Sequence, residues 1–490
     1  MPGPRFPGPF LHRLTSLPLR LHELRNTRVA FIDALHRTHG PVVQIAPRTL
    51  SLSDGLLVHH ILAPDRPLDR PGPLPIFHNY GQENLLTTVD GELHRDRRRP
   101  LRNIYSARAA EAEGLNRVLG EGVDGFVDAA AGRRLGAKET REALGHMLYD
   151  VMSYVVYGAE NATRLLRDEA EREAFKVDVA FQKARGGSLS MLLALWFPNL
   201  VIALRRANLA PAGLDGSLPA DLHSTVVGRR ALQWLDEAAR SQDDGVKPAT
   251  AASGESLMHR MHAHLLEHGP TSAVPSGDYI LSECLDHFWA GVSTTSDALG
   301  PLMGLLSSPE HAHCQRRLRA EIQTLPPAEG PWTQAQLRKL PYLDAVIREA
   351  LRVEPPIPFS MERRISERDG PVVIEGQRVP AGWVVGAQPV SVGTRREVFP
   401  AGVEARPGAE ADTFVPERWL EEEGQDGEGS SPSRRRDMRR HFMAFGSGAR
   451  MCLGVNVAWS MMRGFVAGVY GRCETVMEGD GVVVRRWEGG

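Results

Sequence analysis

The chain has 490 residues, 42% hydrophobic and 24% charged, with 58 basic against 60 acidic residues and a formal net charge of −2. It carries enough apolar material for a large core, is not compositionally disordered, and has no cationic surplus for a general polyanion binder, which argues against nucleic acid as a partner. Four cysteines (Cys284, Cys314, Cys452, Cys473), none in a C-x-x-C pair, cannot form the framework of a small secreted scaffold and suit a reducing, intracellular compartment.

Alternating Pro and Gly over residues 2–9 make a stiff, non-helical start. The first 60 residues hold neither a stretch of about 20 apolar residues nor a signal pattern. Apolar residues at three- and four-residue spacing then predict helices around 24–39, 107–130, 140–159, 164–184, 221–240, 278–307, 309–323 and 334–353. Strand-like runs fall at 41–53, 371–374, 382–387 and 482–485, and Gly/Ser/Pro-rich loops at 241–256, 402–412 and 421–433. The balance is mainly helical with a minor β component, without internal repeats or βα alternation. Met191–Leu204 (MLLALWFPNLVIAL) is too short and too broken to span a bilayer, and reads either as a buried helix pair or as a loop dipping into a membrane surface. Asn161-Ala162-Thr163 matches a glycosylation sequon that is silent inside a cell.

The most informative stretch is Phe445-Gly446-Ser447-Gly448-Ala449-Arg450-Met451-Cys452-Leu453-Gly454. Its three glycines permit positive φ angles and close backbone approach to a flat ligand or a sulfur atom. Helix-compatible sequence follows at Val455–Val469, so Cys452 sits before a helix N-terminus, where a thiolate is stabilised and can ligate a metal. A lone cysteine is otherwise a small buried hydrophobe. The loop matches F-x-x-G-x-R-x-C-x-G in full, and here the sequence resembles the cytochrome P-450 family of haem-thiolate monooxygenases. The resemblance runs from about residue 30 to about 470.

It implies a mainly α cytochrome P-450-type fold, a large helical domain with a small β-rich subdomain. Residues 1–28 would be a proline-rich hinge-like segment and 29–490 a single haem-binding domain. Cys452 would be the axial ligand of haem b iron, with Phe445, Gly446, Gly448 and Gly454 shaping its loop and Arg450 reaching a haem propionate. His94 and Arg98, one helical turn apart in His94-Arg95-Asp96-Arg97-Arg98, resemble propionate contacts, as does Arg363, whose neighbour Arg364 leaves that assignment open. Glu349 and Arg352 (E-x-x-R) would join Arg418, from Pro416-Glu417-Arg418-Trp419, in a structural network behind the haem. Alone, E-x-x-R is a solvated helix pair and the basic run a solvated face.

Phe288-Trp289-Ala290-Gly291-Val292-Ser293-Thr294-Thr295 resembles the oxygen-binding segment. Gly291 would let a ligand approach the backbone beside Ala290, and Thr294 would bond back to the Ala290 carbonyl and serve a proton relay. Ser293 stands where the family usually has an acid, so proton delivery must use Ser293 with water, another acid, or the substrate. Ile76, Phe77, Phe288, Ile357 and Phe359 would line the distal pocket, or belong to the core. Arg434, Arg435, Arg436, Arg439 and Arg440 would dock an acidic electron-transfer partner, or form a solvated surface.

The resemblance thus implies a monooxygenase that inserts one oxygen atom from O2 into a small apolar organic substrate, with electrons from an NADPH-dependent reductase and peripheral membrane contact through Met191–Leu204. A haem-thiolate isomerase or dehydratase and an inactive haem-binding remnant are the competing readings. The chain as it stands reads as cytoplasmic; a preceding anchor would place it on the cytoplasmic face of the endoplasmic reticulum. Only 38 residues follow Cys452, which looks short for the family and leaves open whether a C-terminal substrate-contacting hairpin is present.

Overall fold

Capping and proline position set the boundaries of the principal helices. The computed structural model describes residues 4–63, 65–132, 135–185, 196–207, 209, 226–243, 256–326, 330–370, 372–399, 411–420, 432–479 and 481–487. We label α1 (Arg28–His39), α2 (Gly91–Arg98), α3 (Glu113–Val127), α4 (Ala137–Tyr157), α5 (Gly277–Ser307), α6 (Ala312–Ile322), α7 (Pro341–Val353) and α8 (Val455–Tyr470). The 31-residue α5 starts where the Ser276 hydroxyl accepts from the Tyr279 N–H, with Asp278 in the first turn favouring the dipole. Asp90 caps α2 in the same way through Leu93 N, at 2.8 Å. The single helix predicted over 334–353 is two, Gln334–Leu337 and α7, because Pro341 has no N–H to continue the ladder and sits at an N-terminal position instead.

The main core is a helical layer in which α5 packs on α4, α4 on α3, and α3 on α8. Phe126, Met147, Val151, Phe288, Leu299, Leu302 and Phe465 are among the residues that fill it. A smaller β-rich unit has its own core. β1 (Val42–Ala46) pairs antiparallel with β2 (Thr49–Leu52), β2 parallel with β6 (Val384–Ala387), and β6 antiparallel with β3 (Arg363–Arg364), in the order β1-β2-β6-β3. β4 (Val372–Ile374) and β5 (Gln377–Val379) form a separate hairpin. Phe6, Val42, Leu50, Val58, Trp383, Val385 and Met443 meet in this second core, so the run leading into the cysteine loop is anchored on the β unit. Gln44 N donates to Pro7 O at 2.8 Å, tying the proline-rich start to β1.

The last described residues form a hairpin, β7 (Cys473–Glu478) with β8 (Gly481–Arg486). It is anchored at the far end of α5: Gln315 Nε2 donates to both Leu306 O and Thr475 O. Leu306 lies 12 residues past Thr294, about 18 Å along the axis, so this hairpin is placed away from the Thr294 turn. Helices at Phe10–Leu14, Leu17–Leu24, Gly55–Ile61 and Leu257–His268 went unpredicted, being short or rich in histidine and arginine. The loops predicted at 402–412 and 421–433 lie almost wholly, and that at 241–256 largely, outside the described residues.

Candidate active site

The cysteine loop is folded back on itself by its own backbone. Cys452 N donates to Phe445 O at 2.9 Å and Gly446 N to Met443 O at 2.9 Å, while Gly448–Arg450 forms a 3-10 turn. Gly446 and Gly448 have φ of 74° and 73°, in the region that favours glycine. At Gly448 a Cβ would lie 1.4 Å from the Leu62 carbonyl oxygen, and at Gly446 it would lie 3.0 Å from Met361 Sδ. Cys452 is exposed, whereas Cys284, Cys314 and Cys473 are buried. The crowded protein around its thiol raises its pKa, offset by the Gly454 N–H and by the Arg98 charge. Phe445 packs between Phe442 and Trp459, with ring centroids 6.3 and 6.2 Å away. His59 braces the loop from behind: its Nδ1 is 2.8 Å from Ser447 Oγ and its Nε2 2.9 Å from Arg440 O.

Four arginines and a histidine converge beside this loop. On α2, His94 is buried and Arg98 half-buried one turn on, while Arg97 turns away to stack over Tyr279, 4.9 Å from the ring centroid. Burial, then Arg450, Arg98, Arg363 and Arg70 in that order, push the His94 pKa down to about 2. Burial, then Arg363 and Arg70, hold Arg450 at about 9. Burial and Arg70 hold Arg363 at about 10. Strand alternation settles which arginine of β3 belongs here, since Arg363 is buried and Arg364 exposed. Arg450 donates to the carbonyls of Leu68, Thr88 and Val89. Among the described residues no carboxylate hydrogen-bonds Arg70, His94, Arg98, Arg363 or Arg450, and the buried His94 Nδ1 has no partner. Arg70 went unnoticed in the sequence, where a lone loop arginine carries no pattern.

Most of α5 is buried, but Ala290, Ser293, Asp297 and Pro301 form an exposed stripe, with Thr294 half-buried at its edge. Thr294 Oγ1 donates to Ala290 O and Ser293 Oγ to Trp289 O, each at 2.8 Å. Gly291 has a different use from the one expected. Its missing side chain points at Met152 of α4, 2.3 Å from Cε, so its smallness serves the α4–α5 packing, and Ala290 is the small residue on the stripe. Of the two readings for Phe288 the core one holds: it is fully buried among Tyr149, Tyr157 and Trp289. Phe77 is half-buried, while Ile357 and Phe359 are 48% and 56% exposed; the Ile76 side chain lies outside the description. One turn above Ala290 a polar chain runs unpredicted through apolar sequence. Tyr105 hydroxyl bonds His287 Nδ1 at 2.6 Å, His287 Nε2 stands 3.3 Å from Glu283 Oε2, and Tyr279 hydroxyl donates to Glu283 Oε1. Polar residues at i and i+4 inside YILSECLDHFW were the available signal.

Glu349, Arg352 and Arg418 meet in one buried network. Glu349 Oε1 accepts from Arg352 Nη2 (2.6 Å), Arg418 Nε (2.7 Å) and Val415 N (3.0 Å), and Oε2 from Arg352 Nε (2.8 Å) and Trp419 Nε1 (2.7 Å). Burial alone would raise the Glu349 pKa, but Arg352 and Arg418 outweigh it and lower it. Arg352 also donates to the carbonyls of Gly393 and Thr413, pinning the segment ahead of the cysteine loop. Arg436, Arg439 and Arg440 are exposed on a helix over Pro432–Arg440; the side chains of Arg434 and Arg435 lie outside the description.

Residues 2–483 match the cytochrome P450 family model, and the chain belongs to that family. It is 26% identical over 473 residues to the cytochrome P450 monooxygenase gsfF of Penicillium aethiopicum, covering 94% of this chain and 85% of the relative. It is 25% identical over 463 residues to a pisatin demethylase of Fusarium vanettenii, covering 93% and 81%. It is 25% identical over 473 residues to the cytochrome P450 monooxygenase BOT1 of Botryotinia fuckeliana, covering 94% and 82%. The chain is therefore an oxidoreductase of the cytochrome P450 monooxygenase kind, a family built on haem-thiolate chemistry. The residues present fit a haem. An exposed thiol faces out from a glycine loop, and the buried cations beside it, with their orphaned histidine nitrogen, suit the two carboxylates that a haem carries.

Proposed function

We propose that this P450 is a monooxygenase of small, largely apolar organic molecules in secondary metabolism, working as a single haem-binding unit over residues 29–490. The observation that carries the reading is the convergence of one exposed cysteine with four buried or half-buried arginines and the buried His94, none of which has a carboxylate partner among the described residues. Cys452 would ligate the iron, and His94, Arg98, Arg363, Arg450 and Arg70 would hold the propionates. When bound, the haem supplies O2 activation, with the thiolate pushing electron density toward iron. Thr294 holds a proton on the Ala290 carbonyl at the edge of the exposed stripe, and Phe445 with the Gly454 N–H orients the sulfur. The relatives, which include a pisatin demethylase, support the small-molecule substrate class.

Electrons would come from an NADPH-dependent reductase docking on Arg436, Arg439 and Arg440, where complementary charge accelerates encounter. A membrane surface is the second partner. Among the described residues no helix is long and apolar enough to cross a membrane. Yet Phe10, Leu14, Leu17 and Leu24 are 72%, 66%, 57% and 55% exposed, as are Phe197 (51%) and Leu200 (55%). Trp196 Nε1 donates to Glu23 Oε2 at 2.6 Å beneath the Arg20 guanidinium, which brings the two apolar groups side by side. Residues 191–195 of the predicted surface segment lie outside the description. The absorption spectrum of dithionite-reduced protein with carbon monoxide tests the haem site: a strongly red-shifted Soret band, lost in Cys452→Ser, is expected, and haem bound without that shift would sink the assignment.

A further inference from the structure

The serine at position 293 leaves the distal hydroxyls without the usual adjacent acid, and the exposed stripe of α5 carries one a turn further on. Asp297 is i+4 from Ser293 and i+3 from Thr294, so its side chain neighbours both on the helix surface, with Cβ atoms about 5–6 Å apart. It shares the exposed stripe with Ala290 and Ser293, while Val292, Thr295, Ala298 and Leu299 turn into the core. Both hydroxyls already give their protons to backbone carbonyls, at 2.8 Å each, which leaves oxygen lone pairs to accept from a third group. Among the described residues Asp297 makes no hydrogen bond or ion pair that would hold it as a carboxylate, and burial raises its pKa.

The other acids of α5 suit the task less well. Asp286 is eight residues from Thr294, about 12 Å along the axis, and within electrostatic reach of Arg70. Glu283 is about 16 Å away, fully buried, with Oε1 accepting from Tyr279 and Oε2 beside His287. A further feature serves reprotonation: Pro301 has no N–H for the Asp297 carbonyl, leaving that acceptor without its helical donor on the exposed stripe, where water can dock.

We propose that Asp297 is the proton source of the distal site, replacing the acid that position 293 lacks and feeding Thr294 Oγ1 directly or through the Ser293 hydroxyl. The proposal rests on the monooxygenase reading. The Asp297 O–H bond breaks, the hydroxyl gains that proton and releases its own toward the distal pocket, and the carboxylate recovers a proton from water; no electrons move.

The test uses the full chain, haem-loaded, with reductase and NADPH, and compares wild type, Asp297→Asn and Asp297→Glu. Oxygen consumption in H2O and D2O is followed, and the carbon monoxide spectrum of the reduced protein is recorded for each variant. Oxygen consumption about a hundredfold slower and an altered solvent isotope effect in Asp297→Asn, with substantial recovery in Asp297→Glu, are expected. Wild-type rate and solvent isotope effect in Asp297→Asn would overturn it. Should Asp297→Asn fail to hold haem, recovery in Asp297→Glu against Asp297→Ser decides. A missing red-shifted carbon monoxide band in the wild type would instead defeat the monooxygenase reading.

Discussion

Glu349 illustrates how one carboxylate organises its surroundings. It is completely buried, and five hydrogen bonds from Arg352, Arg418, Trp419 and Val415 converge on it. Replacing it by Gln leaves two buried guanidinium groups uncompensated, and a cost of about 3–5 kcal/mol is expected in urea unfolding. The same residue gives stability a pH dependence of known sign. Its folded-state pKa is lowered, so its contribution is present above the ordinary glutamate pKa and is lost as pH falls through the folded value. The loss with acid should therefore be shallower in Glu349→Gln than in the wild type.

At the level of single elements, the cysteine loop depends on glycine unequally. At Gly448 a side chain meets the rigid Leu62 carbonyl at 1.4 Å, whereas at Gly446 it meets the flexible end of Met361 at 3.0 Å. Both positions also carry positive φ, a conformation costing a non-glycine residue about 1–3 kcal/mol. Gly448→Ala is expected to abolish haem incorporation, and Gly446→Ala to reduce it only several-fold, read as haem per purified chain. α5 shows the converse economy. One helix supplies core on three sides and a thin chemical stripe on the fourth, so Phe288 and Gly291, adjacent to functional positions in sequence, point elsewhere in space.

For the whole molecule, the exposed apolar residues near the N-terminus and on the Pro198–Arg206 helix predict adsorption to lipid. Removing Phe10, Leu14 and Phe197 together by substitution with Glu should weaken co-sedimentation with phosphatidylcholine vesicles at least tenfold, since each buried apolar side chain is worth about 1.5–3 kcal/mol. Much of this architecture was legible in the sequence. Helices with a long apolar period were readable because packing and periodicity agree, and the cysteine loop because its geometry demands glycine at fixed spacing. Arg70, Tyr105 and His287 were not, because they enter the site from loops and helix turns distant in sequence and only the fold brings them together. Asp297 lay in plain view but outside the motif, where spacing along a helix has meaning only once its exposed side is known.

His59 gives this fold a mechanical property. Its ring spans from the Arg440 carbonyl, at the end of the arginine-rich helix, to the Ser447 hydroxyl inside the cysteine loop. Were a partner to tilt the basic helix, this strut would carry the displacement toward the loop that holds Cys452. Arrival of a partner at the outer surface would thus be felt at Cys452 before any electron is passed.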